Sequence, residues 1–327
     1  MHYLLRRGLV SIAVILLVAN LDFFLPRLIP DNAALTNTRG SIGEAVDIHS
    51  LTARYHLNLP MQIQYFDYMK GLFATWPPNL GVSFEYYPMS VINVIGFRIG
   101  WTFGLIFVSL GLALLIVFTM AAVSSTRRGG KFEVASLYMS LSFHSIPVYW
   151  FSIVLLWVFG VVLGWFPVFG SVDPGLKYGT ETYVISVIRH GVLPVIALTL
   201  SLIGELYLTL RSSIQDVLQS DYVIAAELRG LRRRILAIRY ILRNSLLPIV
   251  SLLTYSLAGL IGRIILIEAI FGYPGLGYLI IDGINTYDYP IIEGTFFILV
   301  LMVVIGGFVG DILLMKLDPR LRVSNAL

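Results

Sequence analysis

Six ionisable residues stand inside long apolar runs of this sequence: Asp22, His144, Glu205, Arg263, Glu268 and Asp311. Such groups are expensive to bury in hydrocarbon, so each is a candidate for handling a substrate, an ion or a proton. Glu205 and Arg263 fall in neighbouring runs and could pair across a pathway, either touching a substrate or acting as a structural pair. His144 stands beside Ser145 and Pro147, where a kink would free backbone groups for a polar side chain to satisfy. Glu268 and Asp311 lie near the ends of their runs, which equally suits residues that bracket a bilayer. No enzymatic constellation accompanies them. The absence of cysteine excludes thiolate metal sites, disulfides and cysteine nucleophiles. No G-x-S-x-G or H-E-x-x-H occurs, the five histidines are scattered, and "RRGGKF" (127–132) lacks the first glycine of a phosphate-binding loop. "VGD" (309–311) is one glycine short of the Gly-x-Gly-Asp of some intramembrane aspartyl proteases. These absences argue against an enzyme and against a metal site.

A second set of residues has spacing suited to contact rather than catalysis. "AAELRGLRRRILAIRYILRNSLLP" (225–248) crowds six arginines between apolar runs. On a helix over 221–235, Ile224, Leu228, Leu231 and Ile235 form one apolar stripe, with Arg229, Arg232 and Arg233 off it and Ser220 or Asp221 available as a cap. One reading is an amphipathic helix on the membrane surface, its arginines facing anionic headgroups. The small residues favour a different one. Ala225 and Ala226 share a turn, and Gly230 follows four residues later. A mid-helix glycine costs about 1 kcal/mol relative to alanine. It therefore implies a break between two short helices or a close backbone approach. A small-residue knuckle flanked by arginines fits a surface that docks into another protein's groove.

The elements that position these residues are membrane spans. The 327 residues are 57% hydrophobic and 13% charged, with a mean hydropathy of +0.83. Soluble domains are charged at about 25% of positions. Six runs reach membrane length, near 8–27, 99–123, 134–163, 191–211, 246–270 and 291–315. The third is too long for a straight span, and Pro147 predicts a kink in it. The first follows Arg6 and Arg7 like a signal peptide, but "FFLPRLIPD" supplies no small-x-small cleavage site, so it reads as a retained anchor. With the N-terminus cytoplasmic, fifteen of the 23 lysines and arginines fall inside, seven outside, and Arg263 within a span. The positive-inside rule then places both termini and the basic segment in the cytoplasm, and this clustering argues against nucleic-acid binding. Residues 28–98 form an aromatic-rich outer cap with short helices. Two further outer loops, "WFPVFGSVDPGLKYGTETY" and "FGYPGLGYLIIDGINTYDYP", carry turn signals.

The run Ala225-Ala226-x-x-x-Gly230, followed by "LLP" ending at Pro248, resembles the EAA loop of ABC importer permeases. The glycine-to-proline spacing of 18 and "LRNSLLPIV" (242–250) resemble its dipeptide/oligopeptide/nickel branch. Ile224 stands where the motif's glutamate would be, so no salt bridge is available from that position. The likeness continues through "LNLPMQIQYFDYMKGLF" (57–73), "NLGVSF" (79–84), "SIPVYWFSIVLLWVFGVVLGWFPVFG" (145–170), "EAIFGYPGLGYLIIDGINTYDYP" (268–290) and "LDPRLR" (317–322). Tyr273 occupies a position where tryptophan is common in the family.

This resemblance implies an all-α membrane protein with six transmembrane helices and the type I importer permease fold. Its parts would be an N-terminal helix (1–27), an extracytoplasmic loop or cap (28–98) and a five-helix core (99–327) containing the cytoplasmic coupling loop 212–245. It implies one half of an inner-membrane pathway and a related second permease subunit completing a heterodimer. An extracellular solute-binding protein would deliver substrate, and two separate ATP-binding subunits would hold ATP and Mg. No cofactor is expected on this chain. A coupling helix over 221–235 would dock the ATPase through Ala225, Ala226, Glu227, Arg229, Gly230 and Leu231. Arg232 to Arg234 equally suit positive-inside anchoring. Glu205, Arg263, Glu268, Tyr273 and His144 are candidates for the pathway or gate, and loop 271–278 suits either an outer gate or an ordinary turn. Peptides are the expected cargo, with oligosaccharides or nickel chelates as alternatives. A stand-alone secondary transporter or channel would need its own coupling-ion site, for which only scattered residues qualify. A purely structural scaffold would leave the Ala-Ala-Gly knuckle without purpose.

Overall fold

The computed structural model describes residues 2–27, 59–126, 130–232 and 235–317. The first part of the expected cap (28–58), Arg127, Arg128, Arg233, Arg234 and nearly all of "LDPRLR" lie outside the described residues. Among those described, the chain is helical, with one isolated bridge between Val82 and Ser90. In chain order the helices are α1 (His2–Arg27), α2 (Met61–Phe73), α3 (Val91–Thr126), α4 (Lys131–Ser145) and α5 (Val148–Leu155), which continues as a π-helical turn over Leu156–Val162. They are followed by α6 (Glu181–Leu218), α7 (Asp221–Leu228), a π-helical segment Leu236–Leu242, α8 (Leu247–Tyr255), α9 (Leu257–Phe271), α10 (Leu276–Thr286) and α11 (Tyr289–Leu317).

Four helices, α1, α3, α6 and α11, are long and apolar enough to cross a membrane singly. Two bent pairs, α4–α5 and α8–α9, raise the number of candidate spans to six if each pair is one span. These six match the apolar runs in the sequence. In α6, 61% of the apolar window is buried inside the protein, against 17% in α1, 28% in α3 and 22% in α11. α6 is therefore the core helix, while the other three leave most of their apolar surface exposed.

The chain divides into two compact units. One takes its residues from Met1–Thr102 and Pro274–Ile305, the other from Phe103–Tyr273 and Gly306–Leu327. In the first, the aromatic end of α1 packs on α2, Phe23 meeting Tyr65 at 5.3 Å and Tyr68 at 5.5 Å between ring centroids. Gly294 on α11 leaves room for Leu80 and Val91, since a Cβ there would stand 2.6 Å from Val91 Cγ1. In the second, α6 packs against α4, α5, α8 and α9. Gly204 sets the α4–α6 distance: a Cβ would come within 2.6 Å of the His144 nitrogen and 2.8 Å of the Ser140 carbonyl. Gly310 likewise admits Thr254, whose Oγ1 lies 2.3 Å from the would-be Cβ.

Three sequence expectations need correction. Pro147 does more than kink the third span: α4 and α5 meet at 97°, because residue 146 turns extended ahead of the proline. The helix expected over 221–235 stops at Leu228, since Gly230 adopts the left-handed region at φ +73. Ser220 occupies the cap position but makes no side-chain cap; its hydroxyl donates back to the Val217 carbonyl.

Candidate functional site

α7 is a two-turn helix closed by backbone bonds from Arg229 N–H to the Ala225 carbonyl (3.1 Å) and from Gly230 N–H to the Glu227 carbonyl (2.9 Å). It packs on the 236–242 segment and the end of α6. Its buried face is Val223 and Ala226, supported by the buried Leu236 and Ile241. The apolar stripe read from the sequence is not the face that packs on the protein. Ile224, Leu228 and Ile235 are exposed, Leu228 at 84%. The break at Gly230 resets the helical phase, so residues on either side do not continue one face. Ala225, Glu227, Arg229 and Gly230 are also exposed, and Leu231 is half-buried. Nothing approaches within 4 Å of a Cβ placed on Gly230; the turn, not a close neighbour in this chain, explains the glycine.

Glu205 and Arg263 meet. Arg263 Nη2 donates to Glu205 Oε2 at 2.7 Å, and the Ser256 hydroxyl donates to Glu205 Oε1 at 2.8 Å. Ser256 stands at the 59° break between α8 and α9, so this cluster ties the broken span to the core helix α6. His144, exposed at the end of α4, packs its backbone on Gly204, next to Glu205.

Glu268 is fully buried, not at a water-facing boundary, and Asp311 and Asp22 are also buried. Gly272, left-handed at φ +57, ends α9 and brings Tyr273 N–H onto the Glu268 carbonyl at 2.8 Å. Gly170 N–H donates to the Phe271 carbonyl (3.0 Å) and the Phe169 ring fills the space over Gly272. The Tyr273 hydroxyl, pushed up to about 12 by burial and then by the Glu268 charge, stays neutral and can donate a hydrogen bond throughout the physiological range.

One polar centre was not legible in the sequence. Asp288, buried ahead of α11, accepts the Ser83 hydroxyl (2.5 Å) and the Phe84 and Glu85 N–H groups (2.8 and 3.0 Å) on Oδ2, and Ile291 N–H (3.2 Å) on Oδ1. It caps α11 and pins the 83–85 loop to it. Burial pushes its carboxyl above the ordinary carboxylate range against the pull of these hydrogen bonds. "DYP" just before the last span is a legible cap signal, aspartate followed by proline in the first helical turn; its partners, some 200 residues away, are not. Nearby, the Tyr86 hydroxyl donates to Asp282 (2.6 Å) and receives Arg98 (3.2 Å). Arg27 at the end of α1 pairs with Glu293 on α11.

The profile of the binding-protein-dependent transport system inner membrane component matches residues 114–323, and that of the N-terminal membrane component of the same systems matches residues 1–105. The chain belongs to this family. It is similar to the oligopeptide transport system permease protein AppB of Bacillus subtilis, 32% identical over 98% of this chain and 99% of the relative. The dipeptide transport system permease protein DppB of Alkalihalophilus pseudofirmus is 31% identical over 98% and 99%. The oligopeptide transport system permease protein OppB of Haemophilus influenzae is 27% identical over 98% and 99%. The permease is accordingly a multi-pass inner-membrane protein of the type I ABC importer fold, in the dipeptide/oligopeptide branch. Within the permease, α7 and the turn that ends it carry the Ala225-Ala226…Gly230 signature, with Ala225 and Gly230 exposed and Ala226 buried.

Proposed function

We propose that this permease forms half of the translocation pathway of an ATP-driven peptide importer and receives the ATPase stroke through α7. A related permease subunit supplies the other half, and an extracellular binding protein delivers the peptide. Two ATP-binding subunits hold ATP and Mg, and both termini face the cytoplasm. The observation that carries this reading is the shape of α7: two turns, ended by a left-handed glycine, presenting Ile224, Ala225, Leu228 and Arg229 outward while Val223 and Ala226 anchor it. An exposed apolar knob amid charge is costly for a free surface and useful for one that is covered. Relatives named as oligopeptide and dipeptide permeases support peptides as cargo. On this reading Glu205 and Arg263 hold the broken α8–α9 span on α6, so a push at α7 reaches the pathway through a stiff connection.

The test is co-purification followed by reconstitution. The tagged permease should bring down a second six-span subunit and ATPase subunits, and the assembly should take up di- to pentapeptides only with binding protein and ATP. Leu228→Glu and Gly230→Arg should insert normally, yet lose ATPase subunits or hydrolyse ATP without uptake. Wild-type assembly and uptake in both variants would remove α7 from the coupling role. Transport by the isolated chain down an ion gradient without ATP would overturn the importer reading.

A further inference from the structure

We propose that α2, read from sequence as part of a water-facing cap, is immersed in the lipid leaflet where α1 ends, with its Phe66 face against acyl chains. The depth follows from what its two ends touch. The apolar window of α1, Arg6–Leu25, has 20 residues, about 30 Å at 1.5 Å per residue and so close to the hydrocarbon thickness. Asn20 lies five residues inside that window, about 8 Å below its end, and accepts the Tyr65 hydroxyl at 2.8 Å. The Tyr65 ring stacks on Phe24 at 5.9 Å. At the far end of α2, Phe73 meets Phe297 edge-on at 6.1 Å. Phe297 stands eight residues past Tyr289, where the window of α11 starts, about 12 Å along that helix. The window of α11 has 28 residues, about 42 Å and so about 12 Å longer than the hydrocarbon; Phe297 therefore stands at the hydrocarbon boundary or deeper, and Asn20 lies below it.

The opposite face has the matching chemistry. Ile63, Phe66 and Phe73 are exposed there, Phe66 at 70%, with the polar Gln62, Asp67 and Lys70 exposed among them, and Trp76 follows at 94%. This surface is continuous with the lipid-facing side of α1, where Leu21, Phe24 and Leu25 are exposed; the rings of Phe24, Tyr65 and Phe66 run in series at 5.9 Å steps. Water would penalise such a strip, whereas lipid would not. Trp76 suits the headgroup boundary, and Lys70 is long enough to carry its ammonium there. At 13 residues, α2 spans about 20 Å, too short to cross. Two of its last four carbonyls also find partners without water. Ala74 N–H donates to Lys70, and both the Thr75 hydroxyl (2.7 Å) and Asn79 N–H (3.0 Å) donate to Gly71. A helix end in hydrocarbon requires such partners.

The chain's lack of cysteine makes the test direct. Phe66→Cys and Ile63→Cys would be introduced singly into the assembled importer in phosphatidylethanolamine/phosphatidylglycerol nanodiscs, with Tyr178→Cys, 89% exposed in a loop, as the reference. Without binding protein, a charged, water-soluble maleimide should label positions 63 and 66 at least about tenfold more slowly than position 178, because hydrocarbon disfavours both the thiolate and the reagent. A nitroxide at 66 should be relaxed more by oxygen than by a water-soluble nickel chelate. Labelling as fast as at 178, or protection that requires the binding protein, would overturn the proposal, the latter by identifying a protein as the covering partner. A nitroxide at 66 shielded from both oxygen and the nickel chelate would also overturn it, assigning the cover to another subunit.

Discussion

At the scale of single residues, the permease spends its charges in pairs that cross between helices, and each pair has a partner-dependent cost. Arg263→Met leaves Glu205 with only the Ser256 hydroxyl, and stranding a buried charge costs about 3–5 kcal/mol at full burial. The side chains here are 27% and 21% exposed, so a smaller loss is expected. Adding Glu205→Gln should return part of it, because the stranded charge is gone; thermal unfolding of the singles and the double checks this. A double variant no more stable than Arg263→Met would mean that the two charges do not act as a pair. Asp288→Asn is the sharper case. An amide offers one acceptor oxygen, and its NH2 would face either Ile291 N–H or the three donors from the 83–85 loop. An unmet buried donor costs about 1–3 kcal/mol, so a clear fall in melting temperature is expected, without loss of ATPase subunits if α7 is untouched. The two clusters differ in legibility. Glu205 and Arg263 announce themselves as charges within apolar runs. Asp288 sits at a helix start where aspartate is ordinary, and its loop partners follow only from tertiary contact.

At the scale of elements, glycine decides where helices end and how closely they pack. Gly230 has open space around it and a left-handed backbone, so Gly230→Ala and Gly230→Arg should lose about the same stability, about 1 kcal/mol for the backbone alone. Asparagine should lose less. Any further loss of ATPase association in the arginine variant then reports the covered surface rather than the fold. Equal association in all three, measured by pull-down, would show that nothing docks at this turn. Gly204→Ala is the opposite case: its Cβ would collide with the backbone of α4, and overpacking of this kind costs about 1–3 kcal/mol. The six apolar runs were legible because lipid demands about 20 apolar residues per crossing. Pro147 marked one break. The break at Ser256 carries neither proline nor glycine, so no residue type signals it. The stripe read through Gly230 joined Leu231 and Ile235 to Ile224 and Leu228, whereas α7 is anchored through Val223 and Ala226.

At the scale of the whole molecule, the outcome turns on whether the α4–α5 pair crosses the bilayer or returns to the side it entered. Each arm has about 15 residues and so a length of about 22 Å. Two such arms at 97° leave their far ends roughly 30 Å apart, close to one hydrocarbon thickness, so the bent pair is long enough to cross. Charge favours crossing as well. Lys131 opens α4 directly after the basic Arg127 and Arg128, whereas the stretch between the π-helical end of α5 and α6 holds only Lys177, as the positive-inside rule requires of opposite sides. A re-entrant pair would place these two segments together and exchange the sides of everything after α5, putting α7 outside and away from any cytoplasmic ATPase. Lys131→Cys and Lys177→Cys separate the alternatives in intact cells. An impermeant maleimide should label position 177 at once and position 131 only after permeabilisation. Labelling of both from one side would make the pair re-entrant, and with it would fall the assignment of α7 as the point where the ATPase stroke enters.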